Sequence, residues 1–210
     1  MVRIKMCGIT NPGDAAAAAD AGASSIGIIA FENSPRYVHP ARLSEIRSAL
    51  PPWVSVTVVS PDAEIAARYD ADFWQLYSLP VGVTNKPIIQ AIRVGAELDA
   101  TDVLSNYGSS IALLFDAYHP DLMGGSGHRI SESLAAQLFA APCQVPRILA
   151  GGLTPDNVAK AISTFTPWGV DVSSGIELSP GIKCPFKMKA FGAAVLTANT
   201  LLRANFQESK

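Results

Sequence analysis

The sequence predicts an α/β protein that folds as a single (β/α)8 (TIM) barrel over residues 1–210. Segments with a strand pattern alternate with segments with a helix pattern, and eight strand patterns can be counted. The strand patterns are nearly continuous apolar runs, as expected for parallel strands covered on both faces. Polar or reactive residues follow most of these runs, and barrels build their sites at the carboxyl ends of their strands. A doubly wound open sheet is the competing architecture.

The predicted strands are short apolar runs bounded by residues that favour turns. They cover residues 2–8, 25–30, 53–59, 73–77, 87–94, 111–116 and 147–152, and the eighth begins at 169. The eighth run ends in a Ser-Ser-Gly corner, and a Pro-Gly turn follows at Pro180 and Gly181. Runs of this length match the usual strand of a compact α/β domain.

Seven helix patterns lie between or after these strands. They cover residues 14–20, 40–50, 62–69, 100–107, 131–140, a segment that opens with a cap at 154–157 and runs to 165, and 186–202. The first is mostly alanine, a strong helix former, and Gly22 ends it. The connection after the fourth strand contains Pro80 and Gly82 and has no helical period. We therefore expect an irregular or shortened helix at that point of the barrel.

Composition and charge exclude several classes of protein. The chain has 210 residues, of which 49% are hydrophobic and 16% charged, so it can bury a large core and is too apolar to be disordered. A net charge of -2 and a pI near 5.9 give no basic surface for nucleic acid. No apolar run reaches the ~18 residues of a membrane helix. The chain opens directly on a strand pattern, so no signal peptide is expected.

The cysteines and histidines point to a reducing cytoplasm and to a protein without a metal. Three cysteines, Cys7, Cys143 and Cys184, are odd in number and lack metal-ligand spacing, which argues against a disulfide framework or a zinc site. His39 and two further histidines, at 119 and 128, are scattered near loops and are interpreted as surface residues. We expect a cytoplasmic protein without a zinc site.

The run that begins at Gly169 is the strongest local signal for a binding site. Asp171 lies in a short buried strand, and the strand opens into a corner of Ser173, Ser174 and Gly175. A glycine lets backbone N–H groups approach a ligand closely, and the serine hydroxyls add donors. Such a corner suits a phosphate. An ordinary turn rich in small residues remains the alternative.

In a barrel, further polar groups meet this corner at the same mouth. They are Cys7, Arg36, Gln75, Tyr77, Asp116, Gly151 and Gly152. Each also has a structural interpretation: a strand cysteine is usually a small core residue, a strand-end aspartate is often a loop cap, and a loop arginine is often solvated. Asp116 follows three apolar residues, so burying its carboxylate there is costly without a partner.

Seven short motifs follow one another along almost the whole chain. They are Lys5-Met6-Cys7-Gly8-Ile9-Thr10, Ser34-Pro35-Arg36-Tyr37, Gln75-Leu76, Leu114-Phe115-Asp116, Gly-Gly-Ser-Gly at 124–127, Ala150-Gly151-Gly152-Leu153, and Asp171-Val172-Ser173-Ser174-Gly175. This ordered set resembles the phosphoribosylanthranilate isomerase family of tryptophan biosynthesis. The resemblance implies a (β/α)8 barrel and a cofactor-free Amadori rearrangement. In that reaction N-(5-phosphoribosyl)anthranilate becomes 1-(o-carboxyphenylamino)-1-deoxyribulose 5-phosphate.

The resemblance also implies a role for each matching residue. Asp116 is the general acid that protonates the furanose oxygen, and burial must raise its pKa for that task. Cys7 is the general base that removes the C2 proton as a thiolate, which requires an electropositive site or N–H donors. Arg36 pairs with the anthranilate carboxylate, and Asp171 holds the sugar or the enolamine. Gly151, Gly152, Ser173, Ser174 and Gly175 form the phosphate corner, a name kept below for these five residues.

Several positions depart from the family pattern. Tyr77 and Ser78 replace the usual His-Gly after the fourth strand, and Cys184 replaces an aspartate that commonly follows the Pro-Gly-x-Lys turn. Two alternatives therefore stay open: another phosphosugar isomerase or epimerase on the same barrel, and a degenerate barrel that only binds a phosphosugar. Cys7 disfavours the histidine-pathway isomerases, which are expected to have an aspartate there. The expected partner is a small phosphorylated sugar-anthranilate, with no nucleic acid or membrane, and the protein is a monomer or a homodimer.

Overall fold

The computed structural model describes residues 1–80, 84–95, 98–117 and 131–208, with side chains to 204, and its strands close into a parallel barrel. The strands are β1 (Arg3–Cys7), β2 (Ser25–Ile29), β3 (Ser55–Ser60), β4 (Phe73–Leu76), β5 (Ile88–Val94), β6 (Ala112–Ala117), β7 (Arg147–Leu149) and β8 (Gly169–Val172). Each pairs with the next, and β8 pairs with β1 in parallel register, Lys5 beside Asp171. The predicted barrel is confirmed, and the open sheet is wrong because this last pairing leaves no edge.

Helices cover the outside of the barrel. They are α1 (Pro12–Asp20), α2 (Leu43–Ser48), α3 (Ala63–Ala66), α4 (Ala100–Ser105), α5 (Glu132–Ala140), α6 (Val158–Phe165) and α7 (Pro185–Glu208). Polar side chains cap several of them: the Asn11 side chain accepts a hydrogen bond from the backbone N–H of Asp14 at 2.9 Å. Between β4 and β5 the described residues, 77–80 and 84–87, contain no helix, as the sequence predicted.

The helices α2, α3, α4 and α6 are shorter than the sequence indicated, and hydrogen bonds explain the difference for α3 and α6. The pattern at 62–69 forms only α3. Its last turn has hydrogen bonds of the 3-10 type, to the residue three positions earlier, such as the one from Arg68 N to Ile65 O at 3.1 Å. The pattern that opens at 154 forms a turn first. There the Asn157 side chain accepts from the backbone N–H of Thr154 and donates to the Gly152 carbonyl, both at 2.9 Å. The helix α6 therefore begins only at Val158, after the segment 154–157 that was predicted to hold its cap and first turn.

The strands separate two apolar layers because successive side chains point to opposite faces. The larger layer lies between the barrel and its helices and includes Ile26, Phe115 and Phe191. The smaller layer fills the interior and includes Ala91 and Leu114. A third, smaller apolar group of Cys7, Ile29 and Val59 lies at the carboxyl ends of the strands, where the barrel opens.

A small hairpin after β8 was not predicted as strands. It consists of β9 (Glu177–Ser179) and β10 (Ile182–Lys183), and the predicted Pro-Gly turn at Pro180 and Gly181 connects them. The two strands together have five residues, which is too few to give a readable alternation. Among the described helices none is both long enough and apolar enough to cross a membrane.

Candidate active site

A cavity of about 640 Å³ opens at the carboxyl ends of the strands. Eight of the nine predicted site residues line it: Cys7, Arg36, Asp116, Gly151, Gly152, Asp171, Ser173 and Ser174. They come from β1, β6, β8 and the loops after β2, β7 and β8. The structure therefore brings the predicted thiol, carboxyl and guanidinium groups to one pocket, as the arrangement of a parallel barrel requires.

Gly175 is the predicted site residue that does not line the cavity. A Cβ atom at this position would lie 1.9 Å from the carbonyl oxygen of Leu153, so only glycine lets the loop after β8 pack on the loop after β7. Gly151 and Gly152 precede Leu153 in that second loop. The close approach holds the two halves of the predicted phosphate corner together.

The Cys7 side chain is buried at the end of β1 beside Gly27 of β2. A Cβ on Gly27 would lie 2.6 Å from Cys7 Sγ, so the glycine provides the space that the thiol occupies. Burial raises the pKa of the Cys7 thiol, and the positive charges of Lys5 and Lys183 oppose that rise. The cations match the predicted electropositive surroundings. The net shift is nevertheless upward, because loss of hydration outweighs them.

Lys5 and Asp171 form a buried ion pair beneath Cys7. The Lys5 Nζ atom donates a hydrogen bond to Asp171 Oδ1 at 2.9 Å, and both side chains are less than a tenth exposed. Burial alone would lower the pKa of Lys5, but the Asp171 carboxylate raises it above its ordinary value. Lys5 lies two residues before Cys7 on β1, so both side chains point to the barrel interior. Lys5 is therefore a permanent positive charge beside the thiol.

Asp116 lies near the end of β6 and lines the cavity. Burial raises the pKa of its carboxyl to about 6, and the negative charge of Asp171 contributes to the rise. The ordinary pKa is 3.8. Arg93 is the register partner of Asp116 on β5 and weakly opposes the shift. A carboxyl with this pKa keeps a protonated fraction near neutral pH, which suits proton donation.

This raised pKa predicts that Asp116→Asn stabilises the folded protein in neutral and alkaline solution. The folded chain holds the Asp116 proton more tightly than the unfolded chain does, so this contribution to stability is complete below about pH 4 and is lost as the pH rises through about 6. The total cost of ionisation is about 3 kcal/mol. Urea unfolding of Asp116→Asn at a series of pH values should show a gain of that order at pH 8 that shrinks towards pH 4.

The matched control is Asp20→Asn, an exposed carboxylate at the end of α1. Its free energy of unfolding at pH 8 should be close to that of the wild type, because the side chain that changes is exposed. A pH-independent difference for Asp116→Asn would contradict a buried carboxyl with a raised pKa.

Arg36 lines the cavity but is already paired within the protein. Its Nε and Nη2 atoms donate to the two carboxylate oxygens of Glu177, each at 2.7 Å. The hydrogen bonds that Arg36 donates to Glu177 raise the pKa of Arg36 further. The sequence pointed to Arg36 as a ligand for a substrate carboxylate, and it contained no signal for this internal partner. Glu177 is separated from Arg36 by 141 positions, so only the fold brings them together.

Of two further residues predicted at the mouth, Tyr77 lines the cavity and Gln75 does not. Tyr77 lines the cavity, packs edge-on against Phe31 at 6.1 Å between ring centroids, and has the Arg93 guanidinium 5.0 Å from its own ring centroid. Burial raises its pKa, with Asp116 contributing, so the hydroxyl stays neutral. Gln75 is buried in β4 and does not line the cavity. Its place among the mouth residues was wrong, because the strand directs it below the cavity.

Sequence reasoning missed Lys5, Gly27, Glu177 and Lys183. A lysine inside an apolar strand, two residues before a cysteine, was the one available signal. The Gly-Gly-Ser-Gly motif at 124–127 and the histidines at 119 and 128 lie outside the described residues. Among the described residues no group of three or more His, Cys, Asp or Glu side chains is arranged to hold a metal ion.

The fold and the cavity are those of a (β/α)8-barrel enzyme with a thiol and a carboxyl lining one pocket. A family model described as N-(5'phosphoribosyl)anthranilate (PRA) isomerase matches residues 4–194. A relative named N-(5'-phosphoribosyl)anthranilate isomerase, from Neisseria meningitidis serogroup C, is 39% identical over 218 residues, covering 96% of this chain and 99% of the relative. The chain belongs to the N-(5'-phosphoribosyl)anthranilate isomerase family.

Solved structures agree with this assignment. Phosphoribosyl anthranilate isomerase from Thermus thermophilus has a TM-score of 0.81 at 29% identity, covering 93% of this chain and 99% of its own. A second such isomerase, solved in complex with reduced 1-(o-carboxyphenylamino)-1-deoxyribulose 5-phosphate, has a TM-score of 0.76 at 29% identity and covers 94% of this chain and 100% of its own.

Proposed function

We propose that the protein catalyses the Amadori rearrangement of N-(5-phosphoribosyl)anthranilate to 1-(o-carboxyphenylamino)-1-deoxyribulose 5-phosphate in tryptophan biosynthesis. The observation that carries the proposal is that Cys7 and Asp116 line one cavity together with most of the phosphate corner. A small molecule bound there can contact a proton donor and a proton acceptor at once. Family membership supplies the substrate, and the cavity supplies groups of the required chemistry.

In the proposed mechanism Asp116 acts first. Its protonated carboxyl delivers a proton to the furanose oxygen, the bond from that oxygen to C1 breaks, and the anthranilate nitrogen forms a Schiff base. The raised pKa supports this role, because a carboxyl with an ordinary pKa would hold almost no proton at neutral pH.

Cys7 acts in the second half of the reaction. The Schiff base acidifies the proton on C2, and the Cys7 thiolate removes it to give the enolamine, which tautomerises to the ketone. The Lys5 charge favours the thiolate against the effect of burial. Asp171, paired with Lys5, lines the same cavity and is proposed to hold the sugar or the enolamine.

The phosphate corner is proposed to bind the 5-phosphate. Gly151, Gly152, Ser173 and Ser174 line the cavity from the loops after β7 and β8, a common phosphate position in barrels. Arg36 is proposed to bind the anthranilate carboxylate. The chemistry requires no metal, and we propose that the protein works in the cytoplasm on this small molecule, as a monomer or a homodimer.

The test is turnover by the purified wild-type protein with a chelator present. Loss of the fluorescence of N-(5-phosphoribosyl)anthranilate should follow enzyme concentration. Calorimetric binding of the phosphosugar without turnover would instead indicate a degenerate barrel. Faster turnover of the aminoimidazole ribotide substrate of the histidine pathway would indicate a different isomerase on the same fold.

A further inference from the structure

Arg36 presents two different edges, and the protein occupies one of them. A planar guanidinium has five N–H groups, of which Nε–H and one Nη2–H form one edge, while Nη1–H and the other Nη2–H form a second edge. Glu177 takes the first edge at 2.7 Å on both contacts. Within the described part of the chain no hydrogen bond uses Nη1. A second carboxylate can therefore bind Arg36 while Glu177 stays in place.

The hairpin of β9 and β10 holds Glu177 firmly. The Lys183 Nζ atom donates to Glu177 Oε1 at 2.8 Å and to the Ser173 carbonyl at 3.1 Å. The Lys187 Nζ atom donates to the backbone carbonyl of Glu177 at 2.7 Å. The Glu177 side chain is 3% exposed and that of Lys183 is 0% exposed, so neither can turn to solvent without breaking these contacts.

The same hairpin also packs against the loop that carries Arg36. A Cβ on Gly181, at the hairpin turn, would lie 2.5 Å from the carbonyl oxygen of Pro35, so the two backbones are in close contact. On the other side, a Cβ on Gly8 would lie 2.5 Å from Arg36 Cδ. The stem of Arg36 is thus confined by backbone, and its guanidinium is confined by Glu177.

Charge makes the remaining edge attractive to an anion. Arg36 and Lys183 share one buried carboxylate, so with both protonated the cluster keeps a net positive charge beside the cavity. Burial lowers the pKa of Lys183, and its hydrogen bond to Glu177 opposes that decrease. Burial alone would raise the pKa of Glu177, but hydrogen bonds from Arg36 and Lys183 lower it below its ordinary value. Glu177 is therefore ionised at neutral pH and orients Arg36 permanently.

We propose that Glu177, held by Lys183, is a positioning residue that fixes Arg36 so that its second edge binds the carboxylate of the substrate. The proposal rests on the proposed function, because that function supplies the anthranilate carboxylate. It adds that Arg36 binds two carboxylates at once. The Glu177 carboxylate is internal and orients the guanidinium, and the substrate carboxylate is the ligand.

The test compares two ligands by calorimetry. One is reduced 1-(o-carboxyphenylamino)-1-deoxyribulose 5-phosphate, and the other is the same compound without the ring carboxyl group. The wild type should bind the carboxylate compound about 10-fold or more tightly, the usual effect of charge-assisted hydrogen bonds. Glu177→Gln should lose most of this ratio and should bind the carboxyl-free compound almost as the wild type does. A merely structural role would weaken both ligands by the same factor.

Further variants keep the test decisive if Glu177→Gln folds poorly. Arg36→Lys keeps the charge but has no second edge, so it should also lose the ratio. Glu177→Asp keeps the carboxylate, so this variant should retain part of the affinity ratio between the two ligands. Leu178→Ala, an exposed position on the same hairpin, is the matched control and should keep the wild-type ratio.

Three results would overturn the proposal. An unchanged ratio in Glu177→Gln counts against positioning alone and leaves the proposed function intact. If that variant does not fold, an unchanged ratio in Arg36→Lys overturns the proposal, because it removes Arg36 as the ligand of the carboxylate, while the proposed reaction itself is untouched. Failure of the wild type to bind either ligand counts against the proposed function, and the positioning role falls with it.

Discussion

Cys7→Ser is expected to lower kcat for the isomerisation by about 10²- to 10⁴-fold, the usual contribution of a general base. Serine has nearly the same shape as cysteine, so the cavity and the pocket beside Gly27 should be unchanged. The hydroxyl is a far weaker acid than the thiol, and the charge of Lys5 is too small an effect to ionise it. Steady-state fluorescence assays with purified protein measure the loss.

The control for this variant is another thiol of the same chain. Cys143 is half-buried and does not line the cavity, so Cys143→Ser should retain wild-type kcat and KM. Iodoacetamide should inactivate the wild type more slowly when reduced 1-(o-carboxyphenylamino)-1-deoxyribulose 5-phosphate is bound, because the ligand covers Cys7. Full activity of Cys7→Ser would refute the thiolate as the base.

Asp116→Asn is expected to lower kcat by at least about 10²-fold, because the amide cannot give a proton to the furanose oxygen. The loss should fall on kcat, with KM little changed, since an asparagine can keep most polar contacts with the bound sugar. Asp20→Asn should show wild-type kinetics. A decrease in affinity with unchanged kcat would assign Asp116 to binding rather than to acid catalysis.

Asp116→Asn is expected to lower kcat but to raise the free energy of unfolding in neutral and alkaline solution. The same carboxyl that should be needed for turnover costs about 3 kcal/mol when it ionises in the folded state. When burial raises the pKa of a functional carboxyl, replacing that carboxyl is expected to abolish activity and to stabilise the protein in alkaline solution. An ordinary structural aspartate would instead lose stability on substitution.

The architecture was predictable because it depends on local patterns. Eight apolar runs alternate with helix patterns, and parallel strands with covered faces have few other ways to pack. The lack of a helix in the described residues between β4 and β5 was predictable from Pro80 and Gly82 for the same reason. The length of α3 and the start of α6 were not, because both depend on hydrogen bonds, such as those of Asn157, that compete with the helix pattern.

The sequence predicted which residues lie at the mouth of the barrel but not their contacts. By itself it placed Cys7, Asp116 and the phosphate corner at the ends of apolar strands. Their roles came only from the resemblance to the family, because a strand cysteine or a strand-end aspartate is also common without a function. Only the tertiary structure decided which group pairs with which. Lys5 meets Asp171 across 166 positions and Arg36 meets Glu177 across 141, and no local pattern encodes such contacts. Closure of the barrel creates them, and burial then sets the charges on which the chemistry depends.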